Sequence, residues 1–114
     1  MPVVGADTHQ TLRAVSAGDV SVIETAIGLR EQNREGSGLD PKSFALVKIA
    51  ALIALDAPPA SYMWQVANAL EDGVSPEEIL GVLRAVAPQV GGPKVVAAAP
   101  EIMLALGLSL DDEE

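Results

Sequence analysis

Apolar residues recur along this chain at spacings of three and four, and no stretch alternates apolar with polar long enough to make a strand. The pattern predicts an all-α fold of about six helices. The first is expected from about Thr8 to Ala17, capped by Asp7 and stopped at Gly18. The second starts at an Asp19 cap, carries Val20, Ile23 and Ile27 on one face, and frays into the polar, glycine-rich connection "REQNREGSG".

The third helix has a marked start in "GLDPKSF". Asp40 suits the cap and Pro41 the first helical position, while Leu39 and Phe44 stand where a hydrophobic staple places its pair. From Phe44 to Leu55 the helix is apolar nearly all round, apart from Lys48, which predicts a central and buried position until "DAPP" ends it. A fourth helix follows from about Pro59 to Asp72, stopped by Gly73, with Met63, Val66 and Leu70 at the spacing of a core face. The fifth opens with "VSPEE": Ser75 caps, Pro76 comes first, Glu78 completes a capping box, and Val74 staples to Ile79. Beyond "APQVGGP" a last helical stretch is expected from about Lys94 to Leu106, with Pro100 kinking or splitting it. Residues 109–114 read as an acidic, solvated tail.

A length of 114 residues allows one domain, spanning 1–114. Of its residues 49% are hydrophobic, yet only Phe44, Tyr62 and Trp64 are aromatic, so aliphatic side chains must build the core. So short a chain has too much surface to bury that many apolar groups, which predicts an oligomer assembled through helix–helix contacts. Acidic residues outnumber basic ones by 16 to 7, for a net charge of −9, and no basic stripe interleaves with aromatics; nucleic acid and anionic membrane are excluded as partners. The start "MPVVGADTHQ" has neither a basic nor an apolar leader segment. The longest apolar run, "IAALIAL" from Ile49 to Leu55, is far short of the ~20 residues of a membrane span, and a cytoplasmic protein is expected. The absence of cysteine removes disulfides, thiolate metal sites and thiol mechanisms.

Candidate chemistry gathers on the fourth helix. At ~100° per residue, Ser61, Gln65, Asn68 and Asp72 share one stripe, with Trp64 beside it and Tyr62 on another face. Two readings stand: a pocket wall, or an ordinary solvated face. Positions 61 to 70 hold no Lys or Glu, although water-facing helix positions commonly do. Lys48 is the sole charge in "FALVKIAALIAL". Held among apolar groups, a lysine can act as a base, as a Schiff-base amine or as an anchor for a carboxylate; the alternatives are snorkelling and pairing with a carboxylate. His9, the one histidine, reads as a surface residue, and Glu77 and Glu78 as capping and dipole groups. No paired histidines or cysteine cluster offers a metal site, and "GSG" and "GGP" lack the strand context of a nucleotide loop, so neither metal nor cofactor is expected.

The order of these pieces resembles the carboxymuconolactone decarboxylase and alkylhydroperoxidase D family. "LDPKSFALVKIAALIAL", a helix break, "ANALEDGVSPEEILGVLRAVAPQVGGP" and a final Ala-rich helix carry the likeness from about Leu39 to Leu106, and "GVSPEEI" followed by "GGP" is its most specific part. The resemblance implies an all-α fold and a homotrimer or hexamer with helices exchanged between subunits. It also implies positions for the peroxidase branch's reactive groups: one cysteine near Pro58, another at Ser61, a histidine at Gln65, and an acid near Ala45 or Leu46. None of these groups is present, which excludes a thiol–disulfide peroxidase. The decarboxylase branch often has a Trp-His pair here; this chain has Trp64-Gln65, and Gln65 cannot shuttle protons.

The function expected is therefore cofactor-free binding of, or non-redox action on, a small and perhaps carboxylated molecule. Ser61, Trp64, Gln65 and Asn68 would bind it, with Lys48 and Tyr62 as catalytic candidates. The alternatives are a non-catalytic assembly or interaction protein, and a family-like lactone decarboxylase.

Overall fold

The computed structural model describes residues 3–19, 21–22 and 30–111. Among the described residues it is all-α, with six helices: α1 (Ala6–Ser16), α2 (Arg30–Ser37), α3 (Pro41–Leu55), α4 (Pro59–Glu71), α5 (Pro76–Val90) and α6 (Gly92–Ala105). Helix α3 packs on α4 and α5, α4 also meets α6, and α5 lies against α6.

Two helix starts follow their local sequence closely. At α3 the Asp40 carboxylate accepts from the Ser43 N–H at 2.8 Å and from its hydroxyl at 3.0 Å, with Pro41 beginning the first turn. These bonds to its charged form hold the Asp40 carboxyl below its usual range. At α5 the Ser75 hydroxyl accepts from the Glu78 N–H at 3.1 Å, while the Glu78 carboxylate accepts from the Ser75 N–H at 2.9 Å, forming a reciprocal capping box. Lys42 reaches across from α3 to Glu78 at 3.1 Å. Val74 and Ile79 are both buried in the core beside this start.

Other elements correct the sequence reading. Helix α1 starts earlier, with Gly5 at its cap and no capping side chain, so Asp7 sits in the first turn, where its charge still suits the helix dipole. Asp19 does cap, accepting from the Val22 N–H at 3.1 Å, but Val20, Ile23 and Ile27 lie outside the described residues. The connection "REQNREGSG" is largely helical, as α2, and turns only at Gly38, φ 71°. Arg34 on α2 bonds Asp72 at 3.0 Å, which ties this polar helix to the end of α4.

Neither internal proline breaks its helix. Helix α5 runs through Pro88 and α6 through Pro100; the turn falls at Gly91, whose φ 88°, ψ 160° is open essentially to glycine alone. The carbonyl that Pro100 leaves unbonded belongs to Val96, an exposed residue, so water can satisfy it. Gly18 is also obligatory: its φ is 77°, and an added Cβ would stand 3.0 Å from the Ala60 carbonyl oxygen.

The main core cluster is aliphatic except for Tyr62. Ile49 and Ile53 of α3, Tyr62, Val66 and Ala69 of α4, Ile79 and Leu83 of α5, and Ala98 and Ile102 of α6 form one cluster. Helix α3 is central on one side only. Its opposite side leaves Val47 and Leu55 exposed, Leu55 at 74%, so the expectation of all-round burial fails within one chain. The core face of α4 differs too: Met63 and Leu70 are exposed, and Tyr62, Val66 and Ala69 point inward. Both sets satisfy a helical spacing.

Candidate functional site

The polar stripe of α4 flanks its core face. Gln65 is 7% exposed and Asn68 4%, so the solvated-face alternative does not hold for either. Ser61 and Asp72, further along the same stripe, are half-buried, and Asp72 bonds Arg34. Burial of uncharged amides is unfavourable unless they find partners. Yet the Asn68 Nδ2 and the Trp64 Nε1 are both buried without a hydrogen-bond partner. They stand at i and i+4, one turn apart on one helix, and both are donors.

Lys48 comes to the same place from α3. Its Nζ lies 4.8 Å from the centroid of the Phe44 ring and 5.7 Å from that of the Trp64 ring. Phe44 is the preceding turn of the same helix, so the lysine stem runs back along its own helix and its head sits between two aromatic groups. Lys48 is half-buried, neither snorkelled into open water nor sealed in the core. Four of the predicted residues thus fall in one region: Lys48 beside Trp64, and Gln65 and Asn68 on the adjoining stripe.

Tyr62 is placed elsewhere. It is 1% exposed within the core, and its hydroxyl pKa is pushed up by burial first, then by the carboxylates of Asp56 and Glu101. A phenol held in its neutral form is a poor base and an inaccessible acid. Among the described residues no group of three or more His, Asp or Glu side chains has the arrangement to hold a metal, and no helix is long and apolar enough to cross a membrane.

The family model for the carboxymuconolactone decarboxylase family matches residues 22–102. The chain belongs to that family. The match begins well before Leu39, so the segment leading into α2 is part of the shared domain. No curated protein and no solved structure matches the chain. The chain has a tryptophan on α4 with Gln65 next to it, and no cysteine to support redox chemistry.

The sequence offered Lys48 and Trp64 as separate oddities, sixteen residues apart and on different helices; their juxtaposition is tertiary. It gave no sign of a second feature, an apolar groove of about 450 Å³ between α5, α6 and the segment after α6. Of the residues lining it, the sequence reading gave a role only to Pro76, as the first helical position, and to Glu77, as a dipole group.

Proposed function

We propose that this family member binds a small carboxylated molecule beside α4, without redox chemistry. One observation carries the reading: two buried N–H donors, Trp64 Nε1 and Asn68 Nδ2, stand one turn apart without partners. An unmade hydrogen bond on a buried group costs about 1–3 kcal/mol, and a ligand that brings oxygen acceptors recovers it. Lys48, against the Trp64 ring, adds positive charge on the same side. A carboxylate fits donors and charge together. Ser61 and Gln65 would orient the rest of the molecule, and Trp64 would pack against it. Gln65 and the neutral, buried Tyr62 leave Lys48 as the group able to carry proton transfer or imine chemistry.

Thermal unfolding with a panel of small mono- and dicarboxylic acids, beside their neutral amides, tests this. Acids in excess over Kd should raise Tm, by about 2.7 kcal/mol of added stability at a hundredfold excess. Asn68→Leu and Lys48→Met should abolish the shift. A panel without effect, or a shift that survives both substitutions, rejects the reading.

A second reading, a non-catalytic assembly protein, is favoured by a different observation. On the described helices Val47, Leu55, Met63, Leu70, Leu80 and Leu104 leave an excess of apolar side chain exposed to water. Assembly as a trimer or a multiple of it would cover the excess; light scattering that shows a monomer at micromolar concentration would reject it.

A further inference from the structure

The orphaned donors beside α4 are neutral, and neutral donors do not distinguish an acid from its amide. The hydrogens on Trp64 Nε1 and Asn68 Nδ2 suit any oxygen acceptor, and an amide carbonyl meets them as a carboxylate does. Selection of an acid requires a cation close to Asn68. Lys48 stands at the Trp64 end, where its Nζ is engaged by the rings of Phe44 and Trp64. The other end of the stripe carries a second cation, Arg34 of α2, brought there by its bond to Asp72.

Trp64, Asn68 and Asp72 follow one another at intervals of four residues, so their side chains stand nearly in line along α4. The helical register lasts to Asp72, whose N–H donates to the Asn68 carbonyl at 3.1 Å. One turn, about 6 Å along the axis, therefore separates the two residues. Arg34 Nη2 lies 3.0 Å from the Asp72 carboxylate, and the two partners are unequally enclosed: the Asp72 side chain is 9% exposed and that of Arg34 25%. The guanidinium meets Asp72 through this one nitrogen, and among the described residues its Nε and Nη1 make no further hydrogen bond. A planar fork that gives one edge to Asp72 keeps another for a second carboxylate.

We propose that Arg34, together with Asn68 Nδ2, receives the ligand's carboxylate and makes the site select acids over their neutral amides. Asp72 is the positioning residue: it brings the guanidinium of α2 to the α4 stripe, while its own negative charge weakens the pull on an incoming anion. This assignment rests on the carboxylate reading of the site and adds to it a residue from outside α3 and α4. The plain alternative is an ion pair that only ties α2 to α4. The two differ in the sign expected for Asp72→Asn, which removes the negative charge and keeps an oxygen to accept from Arg34. A clamp then binds anions more tightly, whereas a weakened tie leaves binding unchanged or reduced.

Trp64 is the one tryptophan, so its indole N–H gives a single nuclear magnetic resonance signal at the site. Acetate and acetamide, alike in size and different in charge, are titrated against the full chain at constant ionic strength. In the wild type acetate should move that signal saturably and bind at least tenfold more tightly than acetamide. Asp72→Asn should strengthen acetate binding at least threefold. Arg34→Lys, which keeps the charge and loses the fork, should weaken it at least threefold. The double variant Arg34→Gln/Asp72→Asn removes both charges and leaves no buried ion unpaired; its preference for acetate over acetamide should fall at least fivefold. Circular dichroism checks each fold, and if the double variant does not fold the two single variants decide. Acetate binding that is unchanged in Arg34→Lys, or unchanged or weakened in Asp72→Asn, overturns the role of Arg34 and leaves the carboxylate site standing. A wild type without saturable response to acetate rejects the carboxylate site itself, and the role of Arg34 with it.

Discussion

The start of α5 and the middle of α4 hold similar numbers of polar side chains and use them in opposite ways. At α5 the capping groups each have a structural duty: Ser75 and Glu78 cap each other, and Lys42 pairs with Glu78. None of the three is left for a ligand. On α4 two donors are buried with no partner, on Trp64 and Asn68, and a half-buried lysine sits against one of them. Polar groups in the first region stabilise the fold, and those in the second lower its stability unless something else is bound. That contrast separates a structural motif from a candidate site more reliably than residue type does.

The largest effect should come from the packing behind the α5 start. Ile79 is fully buried in the core, and Ile79→Ala should lower unfolding stability by about 2–5 kcal/mol through lost transfer energy and the cavity left behind. Urea denaturation measures it. A change under about 1 kcal/mol would mean that the site collapses freely and that the staple is not a core contact.

The cap itself comes next. Ser75→Ala should cost about 0.5–2 kcal/mol, with the ligand-induced Tm shift unchanged, because this region has no role in binding. The capping box also sets a pH dependence. Bonds from the Ser75 N–H, first, and from Lys42 hold the Glu78 carboxyl below its ordinary range. A carboxyl lowered on folding stabilises the native state above its unfolded pKa, and that stability is lost as pH falls through the folded value. Glu78→Gln should therefore flatten the acid limb of the stability curve; an unaltered limb would show that the group has no such linkage.

At the alkaline end the sign reverses. Tyr62 keeps its proton longer in the folded state than in the unfolded one, so above the ordinary tyrosine pKa, about 10, the unfolded chain ionises first and stability falls with rising pH. Tyr62→Phe should remove that fall while leaving ligand binding intact, since the ring lies in the core. Loss of binding in Tyr62→Phe would restore the phenol as a working group of the site.

Legibility in the sequence followed the range of the interactions. Both capped starts were readable because Asp40, Pro41 and Ser43, and Ser75, Pro76 and Glu78, settle their geometry within four residues. The all-α class and the family followed from the same local punctuation. The core face of α4 was not readable, because Met63–Leu70 and Tyr62–Ala69 both fit helical spacing and only packing against α3 and α6 distinguishes them. Pro100 read as a kink or a split, yet α6 runs through it, as α5 does through Pro88, and the boundary between the two helices at Gly91 depends on a backbone conformation. Of the site, the residues were nameable and their meeting was not. The Lys48–Trp64 contact joins two helices, and the burial of Gln65 and Asn68 depends on what lies opposite them.

The smallest expected effect bears most directly on the contrast between α5 and α4. Asn68→Leu removes a buried amide whose Nδ2 has no partner and replaces it with an apolar side chain of similar branching. Where a polar group is satisfied, such a change is destabilising; where it is orphaned, the desolvation penalty disappears and the change is neutral or stabilising, here by up to about 1 kcal/mol. The substitution should also eliminate the carboxylate-induced Tm shift, so that stability and binding move in opposite directions. Ser75→Ala, by contrast, should lower stability and leave binding untouched. If Asn68→Leu instead destabilises the chain by the 1–2 kcal/mol typical of a lost structural bond, the amide has a partner within the fold. The middle of α4 would then be a second structural polar cluster like the α5 start, with no vacancy for a ligand to fill.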